Sequence, residues 1–108
     1  MVRVTIEPGI CGFTTHVAAQ ADDEKEMVKL EVESQCPSVS RMFAELDDTF
    51  DAFELCIQKP GKGPLFDYVH ENNYPVHVSC PVIAGVIKAA EVECGLALPK
   101  DCSVHFES

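Results

Sequence analysis

Three stretches in the first third of the chain alternate between apolar and polar side chains. The apolar members are Val2, Val4 and Ile6 in the first stretch, Phe13, Thr15 and Val17 in the second, and Val28, Leu30 and Val32 in the third. A period of two places successive apolar side chains on one face of a strand. Turn-forming Pro8 and Gly9 and the polar run at residues 21–25 separate the stretches. The pattern therefore predicts a three-stranded antiparallel meander.

The period becomes helical after Cys36. Apolar residues fall at i, i+3, i+4 and i+7, as Val39, Met42, Phe43 and Leu46. Pro37 suits a first helical turn, because its missing N–H would have no partner there. Asp48, followed by Asp51, predicts the N-cap and acidic first turn of a second short helix, which carries Phe50, Phe53 and Ile57.

Prolines and glycines at residues 59–64 predict a loop, and a short helical turn through Leu65, Phe66 and Val69 follows it. The clearest helix of the chain covers residues 81–93. Its apolar face contains Val82, Ile83, Val86, Ile87, Ala90 and Cys94. Gly95 supplies the expected C-terminal stop.

The last residues alternate again, with Cys102, Val104 and Phe106 on one side, and predict a final strand. The order of elements, three strands, then helices, then a strand, predicts an α+β fold. We expect one domain at residues 1–108, with two layers: a four-stranded sheet, made of the meander and the C-terminal strand, and helices packed on one face.

Composition agrees with a globular domain and excludes several functions. Hydrophobic residues make up 46% of the chain and charged residues 24%, and the formal net charge is −10. This charge repels phosphate backbones and anionic lipid surfaces, so nucleic-acid and membrane binding are not expected. The N-terminus lacks the features of a signal peptide, and the longest apolar run, residues 81–87, is too short to span a bilayer. We therefore expect a cytoplasmic protein.

Six cysteines are the unusual feature of the composition. In a reducing cytosol they indicate metal binding, redox chemistry or simple burial rather than disulfides. Cys56, Cys94 and Cys102 fall on predicted apolar faces. Because an unpaired cysteine packs as a small hydrophobic residue, we expect these three in the core.

The other three cysteines lie at the ends of predicted elements. Cys11 follows the first strand, while Cys36 and Cys80 each precede a proline that opens a helix. Free backbone N–H groups and the positive end of the helix dipole favour a thiolate at such positions. Strands one and three of a meander run in the same direction, which brings Cys11 and Cys36 to one end of the sheet. Cys80 joins them if the final strand is parallel to those two.

His77 precedes Cys80 by three residues and is a fourth candidate ligand. Three cysteines and one histidine form a known zinc site, and three thiolates with an open position suit an iron–sulfur cluster. The leading hypothesis is therefore a small carrier or accessory protein that binds zinc or an iron–sulfur cluster through Cys11, Cys36, Cys80 and His77.

Two other hypotheses remain open. Cys36 or Cys80 could serve as the nucleophile or redox thiol of an enzyme. Alternatively, the protein is an acidic module that binds a basic protein partner, with no cysteine chemistry. The oligomeric state is not determined by the sequence.

Four segments resemble a family of small, functionally uncharacterised domains found mainly in anaerobic microbes. They are PGICGF at residues 8–13, CP at 36–37, HVSCP at 77–81 and GLALPKD at 95–101. The resemblance covers nearly the whole chain. It implies no known activity, so it assigns no catalytic role to any residue, and it implies an oxygen-poor setting in which an exposed thiolate or cluster survives.

Overall fold

Four strands form one antiparallel sheet in the computed structural model, which describes residues 1–108. They are β1 (Val2–Ile6), β2 (Thr15–Ala21), β3 (Met27–Ser34) and β4 (Thr49–Asp51), in the spatial order β1-β2-β3-β4. The register pairs Val4 with Val17 and Val17 with Val32. Apolar side chains of the three strands thereby share one face, and the meander is confirmed. Phe13, predicted to belong to the second strand, lies before β2 and is exposed.

Four helices complete the fold. They are α1 (Pro37–Glu45), α2 (Ala52–Cys56), α3 (Pro64–Asn72) and α4 (Val82–Glu93). Two of them, α1 and α4, cover the apolar face of the sheet. Helix α4 packs on β1, β2 and β3, α1 packs on β3, and α2 packs against α4. The predicted α+β architecture, with two layers and a four-stranded sheet, is confirmed. No helix is long and apolar enough to cross a membrane.

Helix α4 forms the centre of the helical layer. Val82, Ile83 and Val86 are almost fully buried on its sheet-facing side. Gly95 ends the helix with a positive φ of 75°, and the N–H groups of Gly95 and Leu96 donate to the carbonyls of Val92 and Glu91. This pair of bonds satisfies carbonyls that the last helical turn leaves free. The predicted glycine stop is thus confirmed.

The fourth strand is not the predicted one. Residues 49–51 pair with the start of β3, and Phe50 lies opposite Val28 with its ring buried. The C-terminal residues form no strand, and Phe106 is 99% exposed. Alternation alone cannot distinguish a strand that has a neighbour from an extended segment that has none. Cys102 is consequently exposed, and the prediction that it lies in the core is wrong.

Two helix starts also differ from prediction. Asp51, not Asp48, caps α2, because its carboxylate accepts from the N–H groups of Phe53 and Glu54. Of the predicted apolar stripe on this helix, Phe53 and Ile57 are exposed. The N-cap of α4 is Pro81, so Cys80 lies one residue before the cap.

Close packing of α4 on β1 depends on Gly85. A Cβ atom added at Gly85 would lie 2.7 Å from Ile6 Cγ1, closer than real contacts allow. We expect Gly85→Val to destabilise the fold by about 1–3 kcal/mol, as overpacked cores do. Urea unfolding measures this loss of free energy, and Ile6→Ala supplies the control. The loss of free energy in the double variant should be smaller than the sum of the losses in the two single variants. Strict additivity would contradict this packing.

Candidate functional site

Cys11 and Cys36 lie at the same end of the sheet, as the meander predicts. Ile6 pairs with Thr15, and Thr15 pairs with Ser34, so the end of β1, the start of β2 and the end of β3 coincide. Cys11 lies in the loop between β1 and β2, and Cys36 follows β3 by two residues.

Cys80 is at this end too, although the predicted final strand does not form. Near its start, α4 packs Gly85 against Ile6, and near its other end the Glu93 carboxylate accepts from the N–H of Ala21 at 2.9 Å. The helix therefore begins where β1 ends. We call this end, with Cys11, Cys36, His77 and Cys80, the thiol end.

Cys36 is fixed through its backbone, and its thiol is left free. The residue caps α1 in an extended conformation, and its side chain makes no capping hydrogen bond. Its N–H donates to Ser34 Oγ at 3.1 Å, and Ser34 Oγ is 2.7 Å from Thr15 Oγ1. Thr15 is fully buried, so this chain of hydrogen bonds ties the start of α1 to the core.

The other three thiol-end residues lie on loops. Cys11 is exposed between Gly9 and Gly12, which both have positive φ values. His77 is exposed in the connection from α3 to α4, and its carbonyl accepts from the N–H of Cys80 at 3.1 Å. Cys80 itself is half-buried against the core.

These residues do not form a ready metal centre. No group of three or more His, Cys, Asp or Glu side chains in the protein is arranged to hold an ion. All six cysteines are free thiols. The structure thus brings Cys11, Cys36 and the start of α4, which Cys80 precedes, to one end of the sheet, without a group of three ligands around one point.

Two of the remaining cysteines are held as neutral thiols. Burial raises the pKa of the Cys94 thiol, with the nearby Glu93 carboxylate as the next cause. Burial, followed by the negative charge of Glu91 and the nearness of Cys94, raises the pKa of Cys56 to about 12. The expected burial of Cys94 is confirmed, and Cys56 is half-buried against the core. Neither thiol can supply a thiolate near neutral pH.

A second polar cluster surrounds Glu45 at the end of α1. Glu45 Oε1 accepts hydrogen bonds from the hydroxyls of Tyr68, at 2.7 Å, and Tyr74. Glu45 Oε2 accepts from Arg41 Nε at 3.2 Å, and the two tyrosine rings lie 5.6 Å apart. We call these four residues the Glu45 cluster. It joins α1 to α3 and to the connection that leads to His77.

A shallow pocket of about 230 Å³ adjoins the cluster. It is lined by Arg41, Glu45, Asn72, Asn73, Tyr74 and Pro75. The Arg41–Glu45 spacing of one helical turn was visible in the sequence, but the two tyrosines carried no pattern that points to Glu45. Because Tyr68, Tyr74 and Arg41 occupy both Glu45 oxygens, the cluster links α1 to α3 and to the loop after it, and its carboxylate is not free to bind a ligand.

The Glu45 cluster perturbs the titration of its members. Hydrogen bonds from Tyr74 and then Tyr68 lower the pKa of Glu45. The hydrogen bond to Glu45, and then burial, raise the pKa of Tyr68 to about 12. Because the pKa of Tyr68 is higher in the folded chain than the ordinary value of 10.0, protonated Tyr68 stabilises the fold. This stabilisation is fully present below pH 10.0 and is lost as the pH rises towards 12.

Tyrosinate absorbance measures this effect directly, since the chain has two tyrosines and no tryptophan. We expect Tyr68 to titrate near pH 12 in the folded protein. Glu45→Gln should bring the titration of Tyr68 towards about 10, the ordinary tyrosine value. Glu71→Gln, an exposed change on the same helix as Tyr68, is the control. An unchanged titration in Glu45→Gln would contradict the hydrogen bond between Tyr68 and Glu45.

The fold and the thiol end together define a small two-layer α+β domain that presents free cysteines at one end of its sheet. The chain belongs to DUF6951, a family of unknown function, whose model matches residues 2–106. A search of curated proteins and a search of solved structures each found no match.

Proposed function

We propose that the thiol end binds a soft metal centre, a zinc ion or an iron–sulfur cluster, through Cys11, Cys36 and Cys80, with His77 as the fourth ligand. The protein then acts as a carrier or accessory module for that centre. One observation carries the proposal: three free thiols on three separate segments lie around one end of the sheet.

The positions of two of these cysteines favour sulfur ligation. Cys36 caps α1, and Cys80 lies one residue before the cap of α4. The first backbone N–H groups of a helix have no partner within the helix, so an anionic metal–thiolate group is favoured at this end of a helix. Thiolates are the preferred ligands of zinc and of iron–sulfur clusters. By contrast, raised pKa values keep Cys56 and Cys94 neutral.

Binding requires the two loops to close on the ion. The core anchors Cys36 and Cys80, whereas Cys11 and His77 are exposed on loops with short-range backbone hydrogen bonds. Structural zinc sites contribute about 10–16 kcal/mol. Fixing a loop residue costs roughly 1–2 kcal/mol, so metal binding can order several of them. A site that closes on its ion also suits a carrier, which must release the ion again.

Metal content measured on protein purified without oxygen tests the proposal. We expect about one zinc ion or one cluster per chain, and loss of most of it in Cys80→Ala. Cys102→Ala is the matched control, because Cys102 is exposed in the C-terminal residues and should not affect binding. No stoichiometric metal in the wild-type protein, or equal metal in Cys80→Ala, would reject the proposal.

A second candidate function is association with a basic protein partner without cysteine chemistry. The formal charge of −10 favours it. It predicts binding that weakens as salt is added and that does not change in Cys36→Ser. The two functions are therefore separated by the response to cysteine substitution.

A further inference from the structure

The C-terminal tail, residues 98–108, has the pattern of a strand but contacts no other strand. It has no regular secondary structure, and every residue is exposed. Val104 is 86% exposed and Phe106 is 99% exposed. Ser103 Oγ and His105 Nε2 lie 3.2 Å apart, so alternate side chains share a side, as in an extended strand. The tail thus exposes apolar side chains on one side and polar side chains on the other.

Strand β1 offers an open edge. It is the outermost strand of the sheet, and its five residues pair with β2 in an unbroken register. No backbone hydrogen bond from another segment reaches its outer side. Sheet edges are usually protected by proline, bulges or charged side chains. Here β1 carries none of these except Arg3, so a further strand can add to it.

We propose that the tail of a second copy of this chain adds to the outer edge of β1 as an antiparallel strand. Cys102, Val104 and Phe106 then continue the apolar face formed by Val2, Val4 and Ile6. On the opposite face Glu107 lies beside Arg3, which gives opposite charges at the contact.

Chain geometry favours a second copy over the tail's own β1. Helix α4 ends where β1 begins, since Glu93 lies 3.4 Å from the amino group of Met1. A tail that leaves this point and follows its own β1 directly would run parallel to it. Antiparallel pairing brings Glu107 to Arg3 and comes most simply from another chain. Pro99 favours an extended exit for the tail, because it fixes φ and cannot continue a helix.

The exchange is reciprocal. Each tail adds to the β1 strand of the other copy, which gives a twofold dimer with two identical contacts. Main-chain hydrogen bonds provide the affinity, and the alternating side chains set the register.

Sedimentation of the full chain, with a chelator present to remove metal bridges, tests the proposal. We expect a dimer, and we expect Val104→Asp combined with Phe106→Asp to raise its dissociation constant at least about 100-fold, because apolar side chains are lost at two contacts. Leu98→Asp is the control, since Leu98 is 89% exposed but precedes the pairing segment. It should leave the dimer intact.

A charge exchange tests the register. Arg3→Glu and Glu107→Arg should each weaken the dimer by about 2–5-fold per contact, and the double variant should restore it. Three results would overturn the proposal: a monomeric wild-type chain, a dimer insensitive to the tail variants, or a double variant no tighter than the single ones. Amide protection of the tail in a monomer would show that it folds onto its own β1, which also overturns the proposal.

Discussion

Zinc at a hundred times its dissociation constant is expected to stabilise the wild-type chain by about 2.7 kcal/mol, since a ligand that binds only the folded state shifts unfolding by that amount. Cys36→Ser should lose this gain, because Cys36 is the proposed ligand that caps α1 and is tied to the core through Ser34. Loss of a ligand should weaken zinc binding by at least the roughly 10–100-fold that loss of a partner behind a ligand costs. Thermal unfolding with and without zinc, under anaerobic conditions, measures both effects.

The matched control for this prediction is Cys102→Ser, which should retain the full stabilisation by zinc. If Cys36→Ser and Cys102→Ser are stabilised equally, zinc binds somewhere other than the thiol end. The metal-free stability of Cys36→Ser should remain close to wild type, because the Cys36 thiol makes no capping hydrogen bond.

Met42→Ala should produce the largest loss of stability, about 2–5 kcal/mol. Met42 has no exposed surface and lies on the core side of α1, the helix that begins at Cys36. Truncation leaves a cavity that the rigid sheet cannot fill. Urea unfolding measures the loss.

Ser40→Ala is the control on the same helix, since Ser40 is exposed and its replacement should change stability by no more than about 0.5 kcal/mol. A Met42→Ala loss as small as that of Ser40→Ala would mean that α1 does not depend on the core for its position.

The meander and α4 could be predicted because each has one buried face, which leaves a clear period in the sequence. Val28 and Leu30 are buried while Lys29 between them is exposed. Strand β4 could not be predicted, since three residues are too few to show a period. The alternation of Val104 and Phe106 predicts a strand of the chain's own sheet, and this prediction is wrong because the tail has no neighbouring strand.

The candidate site could be predicted in part. Strand direction in a meander follows from the chain order, so the shared position of Cys11 and Cys36 was accessible. Cys80 lies at the same end because α4 begins there, and not because a final strand forms. Distances between thiols depend on loop conformations, which leave no period. The Glu45 cluster could not be predicted either, because Tyr74 lies in the loop after α3 and the conformation of a loop leaves no period in the sequence.

X-ray absorption at the zinc edge of the loaded protein tests the central claim most directly, because it identifies the atoms bound to the metal. If the thiol end binds the ion, the spectrum will show about three sulfur ligands at ~2.3 Å and one nitrogen at ~2.0–2.1 Å. Cys80→Ala, loaded with excess zinc to compensate for its weaker binding, should show one sulfur ligand fewer. A shell of oxygen and nitrogen alone, or a sulfur count unchanged in Cys80→Ala, would contradict the account.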